Sequence, residues 1–224
     1  IINNQDILSE LYFRMATIYF KLNIPDKAIY YYEKIINLPE ISEEKKINIY
    51  QEYVKALLIL NEKNKTREIL YKLINYFENN NQCNKKLKYL LYLRSTYNIE
   101  HDSTKIFRID EDILTNSLKC GFNEEVFMAY NNYGYDYFKI KNYLKASHYF
   151  NLALSFAEKN AIHDSLLFII KVNQAILLHN TGKEEEAIKL LLNLRHKYQK
   201  YNDFRKLANV EIILSNFYLN RKDL

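Results

Sequence analysis

Apolar residues recur along this chain every three or four positions, with polar residues between them, in eleven successive segments. This spacing places the apolar residues of each segment on one face of an α-helix. The segments alternate between two classes, called A helices and B helices here. The A helices are predicted near residues 6–21, 43–60, 84–98, 123–140, 163–181 and 203–219. The B helices are predicted near residues 25–38, 64–78, 103–119, 143–159 and 184–200, and residues 100–103 and 179–183 are predicted as loops.

The same order of residue types returns in each A and B pair. It is clearest in the pair that carries Tyr130, Tyr133, Gly134, Tyr137, Ala146, Phe150 and Ala153. The last large residue of the pattern in successive A helices is Tyr19, Leu57, Tyr97, Tyr137, Leu178 and Tyr218. These residues are 38, 40, 40, 41 and 40 positions apart. The pattern therefore predicts units near residues 6–40, 43–80, 84–120, 123–160 and 163–200, and a half unit at 203–224.

Gly134 is one of only three glycines in the chain, and it lies inside a predicted helix. A glycine in a helix interior costs about 1 kcal/mol relative to alanine. We expect close packing to offset this cost, because Gly134 on the A helix and Ala146 on the B helix are the small residues where the two helices cross. Pro25 is expected at the start of a B helix, where a missing N–H has no partner to lose.

These residues resemble the tetratricopeptide repeat (TPR), whose pattern is W-x2-L-G-x2-Y and then A-x3-F, with Tyr130 in place of the Trp and Tyr133 in place of the Leu. The resemblance implies an all-α, TPR-like α-α superhelix, or solenoid, of about five and a half helix-turn-helix repeats. It covers residues 1–224 as a single array, which we expect to be a fragment of a larger protein. The usual period is about 34 residues, and the longer period found here is similar to that of bacterial peptide-pheromone receptor regulators.

Composition agrees with a helical chain and excludes several other classes. Three glycines and two prolines are too few for the turns of a β-sandwich or barrel. The net charge is only +5, and 27 acidic residues are distributed along the chain. No direct contact with nucleic acid is therefore expected. The two cysteines, Cys83 and Cys120, lie in no metal-binding or redox spacing, which favours a reduced, cytoplasmic location. No apolar run is long enough for a membrane span, so no membrane association is expected.

No catalytic or metal-binding motif is present, so the sequence predicts a protein that is not an enzyme and needs no cofactor or metal. The five histidines are scattered over different predicted elements. The acidic residues of the segment 183–187 open a predicted helix, where the helix dipole explains them. The tyrosines could form a surface for base stacking, but eight of them fall on expected core positions: Tyr12, Tyr19, Tyr32, Tyr53, Tyr97, Tyr133, Tyr137 and Tyr218.

The TPR resemblance implies that one face of the A helices lines a concave groove. The candidate binding residues on that face are Arg14, Gln51, Lys55, Asn131, Asn132, Tyr135, Phe138, Asn173, Ile176, His179 and Asn216. Asparagine carries both a donor and an acceptor and can pair with an extended peptide backbone. Because Asn132 and Asn173 occupy the same repeat position, we expect them to act together on a bound peptide. Asparagine is also common in this chain, so some of these amides can be ordinary surface residues.

Two functions remain open at this point. One is the ligand-sensing part of a bacterial regulator, which binds a peptide or protein segment in the groove. The alternative is an interaction scaffold, or the sensor array of a larger signalling ATPase. The last helix carries an apolar stripe with no following B helix, and we expect it to be covered either by more chain in the native protein or by a second copy in a homodimer: Leu207, Val210, Leu214, Phe217 and Tyr218.

Overall fold

The computed structural model describes residues 4–39 and 41–220, and its regular elements are eleven α-helices. They confirm the all-α, TPR-like fold class and the alternation of A and B helices. The A helices are α1 (Asn4–Lys21), α3 (Glu43–Ile59), α5 (Cys83–Ser95), α7 (Asn123–Lys139), α9 (Asp164–Asn180) and α11 (Phe204–Asn220). The B helices are α2 (Pro25–Ile36), α4 (Lys63–Asn79), α6 (Ile99–Cys120), α8 (Tyr143–Lys159) and α10 (Glu184–Lys200).

The described residues form two compact units. The first ends at Tyr97 and holds α1 to α5, and the second begins at Asn98 and holds α6 to α11. Within each unit, consecutive helices pack against each other. In the second unit α9 also contacts the A helices α7 and α11. The boundary falls inside the third predicted repeat, and the single array over residues 1–224 stays a prediction.

The crossing of α7 and α8 confirms the role expected for Gly134. Ala146 and Phe150 on α8 are 0% and 1% exposed, and both belong to the core of the second unit. A Cβ atom built on Gly134 would lie 2.4 Å from two ring carbons of Phe150. No side chain fits in this space, so the glycine allows the two helices to approach.

The segment 100–103 is helical, and the loop predicted there is wrong. Helix α6 begins at Ile99, after Asn98, whose side chain accepts a hydrogen bond from the Glu100 amide at 2.9 Å. The backbone leaves helical geometry only at Asp102, where φ is −121° and ψ is 25°. The polar residues taken as a loop signal therefore cap and bend a helix instead of ending one.

The apolar stripe of α11, for which the sequence predicted a cover from more chain or from a second copy, is largely buried within the second unit. Val210, Leu214 and Phe217 are between 0% and 5% exposed, and they form one core cluster with residues of α9 and α10. Of the predicted stripe, only Tyr218, at 43%, is strongly exposed. It therefore does not lie in the core, where the sequence placed it. Apart from Tyr218, the exposed apolar residues of α11 lie outside this stripe, and the homodimer through this helix stays a prediction.

Two more expectations meet different outcomes. Tyr32, Tyr53 and Tyr133 are buried, as predicted for core tyrosines. Cys83 and Cys120 are both disulfide-bonded, so the expectation of reduced cysteines is wrong. Their distance from each other in sequence carries no information on pairing, because only folding brings distant thiols within bonding reach.

Turns between helices use residues with left-handed backbone geometry. Besides two glycines, five of the residues that the structure describes have a positive φ: Asn23, Asn61, Asn81, Lys141 and Asn202. Asparagine tolerates this geometry better than other residues that carry a Cβ. Lys141, with φ at 61°, is therefore the least suited of the five.

Replacing Lys141 with glycine is expected to raise the free energy of unfolding by up to about 1 kcal/mol. The gain comes from removing a Cβ that opposes the left-handed conformation after α7. Thermal unfolding followed by circular dichroism measures it. Asn61→Gly is the matched control and should change stability by only a few tenths of a kcal/mol. A loss of stability in Lys141→Gly would show that the lysine side chain contributes more than its backbone strain removes.

Candidate functional site

The second unit brings most of the predicted binding residues onto neighbouring A helices. Because α9 contacts both α7 and α11, side chains at matching positions on these three helices share one surface. We call this surface the A face of the second unit. Its residues, taken from the sequence prediction, are Asn131, Asn132, Tyr135, Phe138, Asn173, Ile176, His179 and Asn216.

Asn131 and Asn173 form a direct side-chain pair across α7 and α9. The Asn173 Nδ2 group donates to Asn131 Oδ1 at 2.8 Å. Asn131 is only 4% exposed, whereas Asn173 is half-buried. Among the described residues, Asn131 Nδ2 and Asn173 Oδ1 have no side-chain partner, and Asn173 Nδ2 keeps its second N–H. The pair therefore holds one donor and one acceptor in a fixed relation to each other.

Asn132 is half-buried, and within the described part of the chain its amide makes no hydrogen bond. Asn173 forms its side-chain hydrogen bond with Asn131 and not with Asn132, and the joint action of Asn132 and Asn173 on a bound peptide stays a prediction. Side chains one position apart on a helix point about 100° apart. This rotation turns Asn131 toward α9 and leaves Asn132 beside the pair.

Apolar side chains lie beside these amides. Tyr135 is 44% exposed, and Phe138 and Ile176 are half-buried. The Phe138 ring contacts Tyr143 of α8, with 5.7 Å between ring centroids. The A face therefore combines hydrogen-bonding groups with accessible apolar surface, which is the composition typical of ligand-binding surfaces.

His179 occupies the C-terminal end of α9 and is held by α11. Its ring stacks on Phe217 with 3.9 Å between centroids and 6° between planes. The Nδ1 atom is buried and has no hydrogen-bond partner among the residues that the structure describes. Asn216, one residue before Phe217, is exposed on α11. Of these two residues, Asn216 is therefore the more accessible to a ligand.

The three candidate residues of the first unit are already engaged. Gln51 accepts a hydrogen bond from the Tyr89 hydroxyl at 3.0 Å and donates to Asn48 at 3.2 Å. Burial raises the pKa of Tyr89 to about 12, which keeps this hydroxyl protonated as the donor. Lys55 pairs with Glu52 at 2.6 Å and Arg14 with Glu10 at 2.8 Å. Because of these contacts, the candidate residues of the first unit have fewer polar groups available to a ligand than those of the A face.

The first unit also holds a cavity that sequence reasoning missed. It lies between α1 and α3, measures about 190 Å³, and is lined by Asp6, Ser9, Glu10, Phe13, Lys45, Asn48 and Ile49. Lys45 and Asp6 pair across it at 2.5 Å. No signal in the repeat pattern marks these positions, because the cavity depends on the spacing of two helices that are distant in sequence.

The described residues, 4–39 and 41–220, contain no group of three His, Cys, Asp or Glu side chains placed to hold a metal ion. Within the same ranges, none of the helices combines the length and hydrophobicity that a bilayer crossing requires.

Comparisons with known proteins agree with the repeat pattern. A family model described as a tetratricopeptide repeat matches residues 10–39. No curated protein sequence matches the chain. Among solved structures, the apo form of RapI has a TM-score of 0.72 at 17% identity and covers 94% of this chain and 77% of its own.

Two further structures are similar. The Rap conjugation gene regulator of the plasmid pLS20, solved in complex with a Phr peptide, has a TM-score of 0.58 at 17% identity over 92% of this chain. This chain spans only 57% of that regulator. A signal transduction ATPase with a tetratricopeptide repeat sensor, from Pyrococcus horikoshii, has a TM-score of 0.66 at 19% identity, over 92% of this chain and 33% of its own. Residues 10–39 therefore match a tetratricopeptide repeat, and the fold of the chain is similar to that of the Rap regulators.

Proposed function

We propose that this chain is a non-catalytic binding domain that senses an extended peptide, or a protein segment, on the A face of its second unit. The role is that of the ligand-sensing part of a larger bacterial regulator. The observation that carries the proposal is the Asn131–Asn173 pair, which leaves one donor and one acceptor side by side. The similarity to a Rap regulator solved with a peptide is consistent with this role.

The chemistry of the amide pair matches that of a peptide backbone. Each peptide unit carries one N–H and one C=O, and buried groups of this kind need partners. Asn173 Oδ1 can accept from a ligand N–H, and Asn131 Nδ2 can donate to a ligand C=O. Because the hydrogen bond between the two side chains already orients them, less conformational entropy is lost on binding. Contacts of this type favour an extended backbone without selecting its sequence.

We infer that the apolar side chains beside the amides select among peptide ligands. Tyr135, Phe138 and Ile176 lie on the same two helices as the amides and keep accessible surface. In an extended peptide alternate side chains point to the same side, so a ligand that pairs with the amides directs every second side chain toward the protein. We therefore expect peptides with apolar residues at alternate positions to bind best.

The double variant Asn131→Ala with Asn173→Ala, which removes both members of the amide pair, is expected to weaken binding of such a peptide by about 10-fold or more. Each lost hydrogen bond contributes about 1 kcal/mol net, and 1.4 kcal/mol corresponds to a factor of ten. The ligand is first selected from a library of short linear peptides, and affinity is then measured by calorimetry. Helix content should be unchanged, because neither side chain belongs to the hydrophobic core.

Asn193→Ala is the matched control, because Asn193 is exposed on the B helix α10, away from the A face. It should bind the selected peptide as tightly as the parent. Equal affinity of the double variant and the parent would contradict the assignment of the A face as the binding site. Failure of every library peptide to bind would contradict the peptide-sensing function itself.

The second candidate function is the sensor array of a signalling ATPase, and the similarity to the ATPase with a repeat sensor favours it. The neighbouring domains of the full-length protein separate the two functions. A helix-turn-helix segment next to this chain supports a transcriptional regulator, whereas a nucleotide-binding domain supports the ATPase. Binding of ATP analogues to the full-length protein is the direct measurement.

A further inference from the structure

A larger cavity of the first unit lies between α3 and α4 and opens to solvent. Its volume is about 720 Å³, and the residues that line it include Glu43, Lys46, Tyr50, Asn75, Tyr76 and Asn79. We call it the α3–α4 cavity. Each of its helices also packs against a further helix of the same unit, since α3 contacts α2 and α4 contacts α5. Its size is within the range of about 300 to 1,000 Å³ that is usual for small-molecule sites.

Lys46 places a half-buried positive charge on the wall of this cavity. The matching positions in the other five A helices hold Leu8, Lys86, Val126, Leu167 and Leu207. Four of these residues are apolar, and the fifth, Lys86, pairs with Glu78 at 2.6 Å. Lys46 has no ion pair and no side-chain hydrogen bond with any residue that the structure describes. Because a partly desolvated charge is unfavourable unless it is paired, this lysine favours an anionic ligand group.

Other polar groups on the wall are also available to a ligand. Glu43 lies one helical turn before Lys46, and within residues 4–39 and 41–220 its carboxylate forms no ion pair. On α4, the Asn75 and Asn79 side chains are one turn apart, and their amides make no hydrogen bond in the same ranges. The cavity therefore presents an unpaired carboxylate beside the unpaired ammonium group of Lys46, together with two amides.

Two tyrosine rings line the cavity without closing it. In the second unit, Tyr130 and Phe156 occupy the matching positions on α7 and α8, and they contact each other edge to face with 6.1 Å between ring centroids. The matching rings of the first unit, Tyr50 and Tyr76, make no ring contact with each other. Tyr50 is 9% exposed, whereas Tyr76 is half-buried. The space beside the Tyr76 ring can therefore hold the aromatic ring of a ligand.

We propose that the α3–α4 cavity binds a free aromatic amino acid. The carboxylate of the ligand pairs with Lys46, its ammonium group pairs with Glu43, and its ring packs against Tyr76. The amides of Asn75 and Asn79 donate hydrogen bonds to the carboxylate oxygens. None of these residues belongs to the A face, so the site is additional to the peptide-binding surface proposed above.

An inorganic anion or the C-terminus of a peptide fits this wall less well. Either one can pair with Lys46, but neither carries an ammonium group for Glu43, and the carboxylate of Glu43 repels a bound anion. Lys72 also lines the cavity and does not offset this repulsion, because its ammonium group pairs with Glu68 at 2.6 Å. A free amino acid places an opposite charge beside each of the two unpaired groups.

Titration of the whole chain with L-phenylalanine, followed by ligand-observed NMR, tests the proposal. Lys46→Gln is expected to weaken binding about 10-fold, because it removes the charge that pairs with the ligand carboxylate. Tyr76→Leu should weaken binding several-fold, because it removes the ring that the ligand packs against. Lys63→Gln is the matched control, since Lys63 is exposed at the opposite end of α4, and it should leave the affinity unchanged. Circular dichroism checks that the variants remain folded.

Analogues of the ligand test each of its groups on the parent protein. L-alanine, which lacks the ring, and N-acetyl-L-phenylalanine, which lacks the ammonium charge, should each bind at least about 10-fold more weakly than L-phenylalanine. Glu43→Gln should weaken binding of L-phenylalanine and should not weaken binding of the acetylated analogue further.

Three results overturn the proposal. The first is no binding of L-phenylalanine, L-tyrosine or L-tryptophan to the parent protein. The second is an equal loss of affinity in Lys46→Gln and Lys63→Gln. The third is binding of N-acetyl-L-phenylalanine amide as tight as that of L-phenylalanine, because the cavity would then suit an aromatic residue within a polypeptide and not a free amino acid.

Discussion

Replacing Gly134 with alanine should destabilise this protein by about 2 kcal/mol, although alanine is the better helix former. Propensity alone predicts a gain of about 1 kcal/mol in a helix interior. The added methyl group would lie 2.4 Å from the Phe150 ring, well inside van der Waals contact. Phe150 is 1% exposed and enclosed by the core, so its ring cannot move away into solvent. Overpacking of this kind costs roughly 1 to 3 kcal/mol.

Denaturant unfolding of Gly134→Ala measures the effect. Ser215→Ala is the control, because Ser215 occupies the matching repeat position on α11 but is exposed. It should be neutral or slightly stabilising, as helix propensity predicts. In the double variant Gly134→Ala with Phe150→Leu, the substitutions should destabilise by less than the sum of the two single effects, because the smaller side chain leaves room for the methyl group. A stabilised Gly134→Ala protein would show that the helices can separate at no cost.

Asp164→Asn should lower the free energy of unfolding by about 1 kcal/mol at neutral pH and by almost nothing in acid. Asp164 lies at the start of α9 and joins it to both following helices. Its carboxylate pairs with Lys197 of α10, accepts a hydrogen bond from the Tyr198 hydroxyl at 3.0 Å, and lies 3.7 Å from Lys206 of α11. The side chain is 43% exposed, so solvent screening limits the energy of these contacts.

The pKa of Asp164 determines the pH range of this effect. Partial burial by itself would raise the pKa, but hydrogen bonds from Lys197 and Tyr198 and the nearby lysine charges outweigh burial and lower it. The unfolded pKa is about 3.9. Because the folded pKa is lower, the stabilisation is complete above the unfolded pKa and is lost as the pH falls through the folded pKa.

Urea unfolding of the parent and Asp164→Asn across this range tests the assignment. The difference in stability should shrink below about pH 4 and should also decrease with added salt. Glu124→Gln is the matched control, since Glu124 is an exposed acid in the first turn of α7. It should change stability by only a few tenths of a kcal/mol. A difference for Asp164→Asn that persists unchanged at low pH would show that charge is not the cause.

The candidate site could be predicted only in part. The repeat pattern identified the helices and roughly the face that carries the amides. It did not distinguish the roles of Asn131 and Asn132, since neighbouring positions on a helix differ by only about 100° in direction. The packing distance between α7 and α9 brings Asn131 onto Asn173, and that distance depends on the side chains of both helices. The cavity between α1 and α3 was missed for the same reason.

What the sequence by itself determined is local. The period of apolar residues defines eleven helices, and Gly134 with Ala146 marks where two of them cross, because these signals act between residues close in the chain. The tertiary structure alone decided which apolar stripes are covered. Val210, Leu214 and Phe217 are buried by α9 and α10. Leu11 and Ile18 occupy the same repeat positions on α1 as Val210 and Phe217 on α11, yet they are exposed. The physical reason is that burial requires a neighbouring helix, and the residues of one helix do not specify which other helices pack against it.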